Sequence, residues 1–235
     1  MAYFAFFGST LYAIGFTGNV IVPKTIDGFP QVPLLQAILV NAALLLLFAL
    51  QHSIMARPFF KRWWTKIIPE SMERSTFVLL SSLCLMLMMW QWQPIGGVVW
   101  SIESRVAKTI LLILFITGWA IVFISTFLFN HFDLFGLRQV WLYATGQKYE
   151  SLPFGIPSLY RVVRHPQYLG FLIAFWSTPV MTIAHLFFAV LTTGYILAAI
   201  KFEEKDLITH FGETYLSYKN VVPKIIPFIK KDPTK

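Results

Sequence analysis

Apolar residues fall in long runs, at Tyr3 to Val22, Leu34 to Ala56, Thr76 to Trp92 and Val106 to Phe129. Each is near the roughly 20 residues that an α-helix needs to cross a bilayer's hydrocarbon, so four spanning helices are predicted. A fifth region, Tyr168 to Ile200, is too long for one perpendicular helix at about 1.5 Å per residue, and Pro179, Thr182 and His185 break its middle. It is expected to fold as a helical hairpin. Beyond it, Lys201 to Thr209 is charged, helix-forming sequence with Gly212 as its stop, and a second short helix starts near Glu213. Pro223 and Pro227 then end regular structure. The fold class read from this pattern is all-α, a polytopic membrane bundle of about five to six transmembrane helices with short C-terminal helices.

The polar stretches divide one membrane domain, residues 1–235, into three parts. Residues 1–129 carry the first four helices, 130–166 form the longest polar insert, and 167–235 hold the hairpin and tail. The insert is turn-rich around Gly146, Pro153, Gly155 and Pro157, and it is also aromatic. Phe132, Phe135, Val140, Trp141 and Tyr143 need burial, so a lid lying at the membrane interface is expected rather than a solvated linker. Trp63, Trp64, Trp90, Trp92 and Trp100 fall near span ends, where interfacial tryptophans concentrate.

Composition agrees with the pattern: 57% of residues are hydrophobic, 17% aromatic and only 13% charged, unlike a soluble domain. The N-terminus lacks the basic region of a cleaved signal peptide and is expected to stay as the first helix. The single cysteine, Cys84, lies inside an apolar run, which excludes a disulfide within the chain. Arg57, Lys61, Arg62, Lys66 and Arg74 outweigh Glu70 and Glu73 in one loop, whereas the neighbouring loops balance Lys24 with Asp27 and Arg105 with Glu103. The basic loop is therefore expected in the cytoplasm, with both termini and the insert. The net charge of +8 owes much to Lys219, Lys224, Lys230, Lys231 and Lys235, set against Asp232. These residues are assigned to anionic membrane lipids, and no nucleic-acid motif or obligate protein partner is inferred.

In that topology several ionisable groups come to the cytoplasmic edge: His52 late in the second helix, His131 just past the fourth, and Arg164 and His165 at the fifth region's mouth. Such groups in or beside a membrane usually mark function. His52 either caps a carbonyl or acts as a base, and His131 has Asp133 near enough in sequence to orient it. His185 and His210 read as structural or solvated. Arg164 offers a planar fork for a carboxylate, Pro166 stiffens the helix entrance, and Gly170 permits close approach of another surface. Glu203 and Glu204, across the hairpin, can meet an ammonium or a ribose hydroxyl, or be a solvated face. No histidine and carboxylate spacing typical of a zinc site is present, so no metal is expected.

Taken together, Arg164-His165-Pro166-x-Tyr168-x-Gly170, Glu203-Glu204, Phe211-Gly212-x-x-Tyr215-x-x-Tyr218 and Val222-Pro223-x-x-Ile226-Pro227 resemble the C-terminal signature of the isoprenylcysteine carboxyl methyltransferase and phospholipid methyltransferase superfamily. The resemblance implies an S-adenosylmethionine site at the cytoplasmic face, with Arg164, His165, Tyr168, Glu203, Glu204 and Tyr215 as cofactor-binding residues. Membrane sterol reductases share the signature and use a nicotinamide cofactor. Leu50-Gln51-His52-Ser53-Ile54-Met55-Ala56-Arg57-Pro58 and Asn130-His131-Phe132-Asp133-Leu134-Phe135-Gly136-Leu137-Arg138-Gln139 are similar to bacterial methanethiol S-methyltransferases, and to membrane proteins associated with nitric-oxide reduction.

That second resemblance implies methylation of methanethiol to dimethyl sulfide in a bacterial inner membrane. The expected catalytic residues are His52 or His131 as base and Asp133 as orienting carboxylate, since a thiolate is the nucleophile. Aromatic faces of Tyr168, Phe132 or Tyr218 can meet a sulfonium. Two other readings stay open: a lipid or isoprenylcysteine carboxyl methyltransferase with the same cofactor, and a non-enzymatic haem- or quinone-binding protein using His52 and His131.

Overall fold

The computed structural model describes residues 1–227, so the expectations for Lys230, Lys231, Asp232 and Lys235 lie outside the described residues. In chain order the elements are α1 (Ala2–Gly18), α2 (Leu34–Met55), α3 (Pro58–Trp64), α4 (Glu70–Gln91), β1 (Val98–Ser101), α5 (Arg105–Leu128), α6 (His131–Leu134), α7 (Leu137–Ala144), α8 (Pro166–Trp176), β2 (Val180–Thr182), α9 (Ile183–Phe211) and α10 (Glu213–Val221). A 3-10 turn, Ser158–Arg161, precedes α8. The protein is an all-α membrane helix bundle. Among the described residues α2, α4, α5 and α9 are long and apolar enough to cross a membrane. Two differences from the apolar runs have local causes at the helix ends. α4 starts at Glu70, before its apolar run, because acidic residues in a first turn suit the positive end of the helix. α1 stops at Gly18 because Asn19 adopts a left-handed conformation at φ 55°.

The chain divides into two compact units: residues 1–103, 132–150 and 179–191, and residues 104–131, 151–178 and 192–235. In the first, α1 and α2 pack on α4. Met55, Phe77, Val78 and Phe135 form a core, with Phe6 stacked on Phe135 at 3.8 Å between ring centroids. The buried Asn41 closes α2 onto the chain after α4: its amide donates to the Gln93 carbonyl at 2.7 Å, and its oxygen accepts from the Gln93 N–H at 2.8 Å. Trp92, read from the sequence as an interfacial tryptophan, is instead fully buried and donates to the Ile26 carbonyl. A two-stranded antiparallel sheet, β1 with β2, pairs Trp100 with Met181. Gly136, at φ 80°, brings α7 onto α4, where an added Cβ would lie 2.7 Å from the Ser75 nitrogen.

In the second unit α5 and α8 meet backbone to backbone. A Cβ on Gly118 would stand 2.6 Å from the Ala174 nitrogen, and one on Gly170 would stand 2.6 Å from the Gly118 carbonyl oxygen. Gly170 therefore does permit the close approach that its position suggests. The expected hairpin has unequal legs. The 11 residues of α8 rise about 16 Å, roughly half the hydrocarbon thickness, whereas the 29 of α9 exceed it and carry Lys201 to Phe211 beyond the apolar part. Ile196, Ile200 and Ile225 pack with Tyr168, Leu169 and Leu172, which holds the post-α10 segment against both legs. α9 ends at Phe211, Gly212 takes φ 56°, and α10 follows, as the sequence predicts.

Candidate active site

The entrance to α8 is built around one buried ion pair. His165 and Pro166 start the helix, which places Arg164 just outside it with its side chain 1% exposed. The Arg164 Nε donates to Glu204 Oε1 at 2.9 Å, and Nη2 lies 2.8 Å from the same oxygen. Nη1 donates to the Lys219 carbonyl at 2.8 Å and to the Val222 carbonyl. The backbone repeats the connection, since the Arg164 N–H donates to the Pro223 carbonyl at 2.9 Å and the His165 N–H to the Lys224 carbonyl at 3.2 Å. One guanidinium thus ties α8, α9, α10 and the segment after α10 together. A planar fork is needed for this, because its donors must serve a carboxylate and two carbonyls at once.

Glu204 is correspondingly saturated. Besides Arg164, its Oε1 accepts from His165 Nε2 at 3.2 Å, and Lys219 Nζ lies 3.1 Å from Oε2. Because a carboxylate only accepts, His165 carries its hydrogen on Nε2 there, and its Nδ1 faces Glu203 Oε2 at 3.8 Å. Glu203 is the open member of the set, with a side chain 43% exposed. Tyr168, one turn into α8, lies beside the imidazole at 5.7 Å between centroids.

Next to this cluster stand four aromatic rings. Phe154 lies 5.1 Å from Phe211, 6.0 Å from Tyr215 and 5.6 Å from Tyr218, and the two tyrosines are 5.7 Å apart. Tyr218 donates to the Tyr160 carbonyl at 2.7 Å, and burial pushes its phenol up to about 12. Burial and the neighbouring Glu204 raise Tyr215 as well, so both remain neutral hydroxyls. The Tyr215 hydroxyl is buried and has no hydrogen-bond partner. An orphaned donor beside an open carboxylate is the arrangement that a polar ligand completes.

His131, in the same unit, is also buried and stacks on Phe127 at 4.1 Å. Its Nδ1 lies 2.8 Å from Thr126 Oγ1, whose own hydrogen is donated to the Phe123 carbonyl at 2.7 Å. Thr126 therefore accepts, Nδ1 carries the hydrogen, and Nε2 is the basic nitrogen. Burial holds His131 below the ordinary histidine range, which keeps it neutral at neutral pH.

The sequence-predicted residues thus fall into two groups. Arg164, His165, Tyr168, Glu203, Glu204, Tyr215 and His131 belong to the second unit, and His52 and Asp133 to the first. His52 lies between Phe48 and Phe77, at 5.5 and 5.0 Å. Asp133 forms a 2.8 Å ion pair with Arg138 and accepts from the Tyr149 hydroxyl. Lys219, Phe154 and Thr126 carry no sequence signal as site residues, because each joins through a distant or unremarkable position. His185, read as structural, is buried with its Nδ1 4.0 Å from Asp27.

No family model matches the chain, and no solved structure matches it. It is 54% identical over 229 residues to the methanethiol S-methyltransferase of Crocosphaera subtropica, a match covering 97% of this chain and 90% of that protein. The methanethiol S-methyltransferase of Mycobacterium tuberculosis is 49% identical over 227 residues, 97% of this chain and 93% of its own length. Nurim of Sus scrofa is 31% identical over 185 residues, 73% of this chain and 70% of that protein.

Proposed function

The chain belongs to the methanethiol S-methyltransferase family, and from that premise we propose that it methylates methanethiol to dimethyl sulfide with S-adenosylmethionine at the cytoplasmic membrane face. The observation that carries the cofactor assignment is the orphaned, buried hydroxyl of Tyr215, within electrostatic reach of the open carboxylate Glu203 and of the buried Arg164–Glu204 clamp. These residues fit the cofactor's chemistry. Glu203 and His165 Nδ1 suit an ammonium or ribose hydroxyls, and the faces of Phe154, Tyr168, Tyr215 and Tyr218 suit a sulfonium. When bound, S-adenosylmethionine supplies an electrophilic methyl group.

Arg164 and Glu204 act as positioning residues. With Nε and Nη1 donating to Glu204 and to two backbone carbonyls, their part is to fix the entrance of α8 against α9, so that His165 and Glu203 face one another. His131 is the proposed base. The reaction needs the thiol proton removed, because the thiolate is the nucleophile, and a neutral imidazole with its hydrogen on Nδ1 can accept that proton at Nε2. In balance, the sulfonium–methyl bond breaks, a carbon–sulfur bond forms on methanethiol, and one proton leaves through the base. Alignment of the two sulfurs accounts for much of the remaining acceleration, of the order of several kcal/mol.

The test is headspace gas chromatography of the purified protein with S-adenosylmethionine and methanethiol. Wild type is expected to release dimethyl sulfide, and His131→Ala to be slower by about 100-fold or more, as loss of a general base gives. Full turnover by His131→Ala at saturating cofactor removes His131 from the mechanism, and His52→Ala tests the alternative base.

A further inference from the structure

We propose that a lysine-lined cleft beside α9 and α10 binds a phosphate-bearing anion, the headgroup of an anionic phospholipid. A cavity of about 320 Å³ lies there, lined by Lys201, Lys205, Lys219, Lys224, Glu204 and Thr209. Lys201, Lys205 and Thr209 recur at four-residue spacing, so one face of α9 supplies one wall, and Lys219 on α10 and Lys224 after it supply the others.

The charges of this cleft do not cancel. Glu204 is its sole lining carboxylate among the described residues, and that group already meets Arg164, His165 and Lys219. Lys201, Lys205 and Lys224 therefore add three positive charges with no acid lining the cavity to offset them. Like charges gathered on one concavity repel each other and concentrate anions from outside. Phosphate suits the set, because ammonium groups on flexible stems can converge on its oxygens from several directions.

Depth selects a lipid over a solute. Lys201 follows Ile200, the last residue of the apolar part of α9, so the cleft opens where that helix leaves the hydrocarbon. Val221 and Ile226, 81% and 61% exposed, stand on either side of Lys224. Apolar side chains held outward around a basic residue are the mark of a segment seated in the interface, at the level of the phosphates. The cleft borders the candidate active site through Glu204, Lys219 and the Lys224 backbone, but the inference does not rest on the methyl-transfer reading, which gives the side chains of Lys201, Lys205 and Lys224 no role.

The experiment places the full-length protein in nanodiscs of phosphatidylcholine alone or doped with phosphatidylglycerol, and measures by native mass spectrometry which lipid is retained. Wild type is expected to keep phosphatidylglycerol in preference. Lys201→Ala/Lys205→Ala/Lys224→Ala loses that preference, by about fivefold for each lysine removed, and the matching Lys→Arg variant keeps it. Lys230→Ala/Lys231→Ala, in the basic tail, lowers it less than the cleft variant does, because those lysines act only as surface charge. Should the triple alanine variant not fold, the single exposed change Lys205→Glu is expected to lower retention in the same assay. A parallel titration of sn-glycerol 1-phosphate in detergent separates the sources: thermal stabilisation lost in the cleft variants, without any lipid preference, makes the occupant a soluble phosphate compound at the same site. Equal retention of both lipids with no stabilisation by the soluble compound overturns the proposal. So does a preference lost in the tail variant and kept in the cleft variant.

Discussion

Arg164, singled out in the sequence as a fork for a carboxylate, meets one within the chain. Its pattern, a fork at a helix mouth near two glutamates, predicts a carboxylate partner, and the partner is Glu204 of the chain itself. Both side chains are almost wholly buried, so removing one leaves an uncompensated charge, which costs about 3–5 kcal/mol. Arg164→Ala and Glu204→Gln are both expected to lower Tm in detergent sharply, and the double variant to lose less than the sum. Additive losses would contradict the clamp. His131 gives a pH prediction with a definite sign. Its folded value lies below the ordinary histidine value of about 6.5, so well above that pH both folded and unfolded forms are neutral and the group contributes no pH dependence. As the pH falls below that, the unfolded chain takes up the proton first and stability declines. His131→Gln is expected to flatten the fall in Tm between about pH 7 and about pH 5, and an unchanged slope would count against the assignment. The polar groups of the tail motif were legible because they are costly near a membrane. Thr126, Phe154 and Lys219 were not, since a hydroxyl, an aromatic ring and a surface lysine look ordinary until the fold sets them beside an imidazole or a carboxylate.

At the scale of elements, the apolar runs locate the helices to within a few residues, and the departures come where local chemistry outweighs hydropathy. Glu70 and Glu73 belong to α4 despite their charge, and the Val98–Ser101 strand is too short to register as a pattern. The unequal hairpin follows from packing that hydropathy cannot express: α8 is held to α5 by two glycines whose missing Cβ atoms let the backbones touch. Gly170→Val is expected to destabilise by about 1–3 kcal/mol, because Gly118 and Val122 offer backbone rather than a yielding side-chain end. Gly194, within α9, has open space around its Cα, and Gly194→Ala is expected to be neutral or to raise stability by up to about 1 kcal/mol. Thermal melts of the two variants side by side check both; equal effects would mean that the α5 and α8 contact is not what makes Gly170 necessary.

For the whole molecule, composition and apolar spacing suffice to identify an all-α membrane protein, because the bilayer admits few other solutions for a chain this apolar. The assembly of the motif residues in one compact unit was legible only in part, as sequence gives proximity along the chain and the clamp spans 40 residues. The proposed orientation, with that loop and the insert in the cytoplasm, rests on the excess of Arg and Lys between α2 and α4. In a Cys84→Ser background, a cysteine at Lys148 is expected to react with an impermeant maleimide only in inside-out vesicles, and labelling in intact cells would reverse the topology. The most direct test of the account is isotopic. The purified protein is given methanethiol and S-adenosylmethionine bearing a CD3 group on sulfur, and the headspace is read by mass spectrometry. Dimethyl sulfide carrying one CD3 group is the result expected, in amounts that fall with His131→Ala; binding of the methyl donor without any labelled dimethyl sulfide from the folded wild-type protein would contradict thiol methylation.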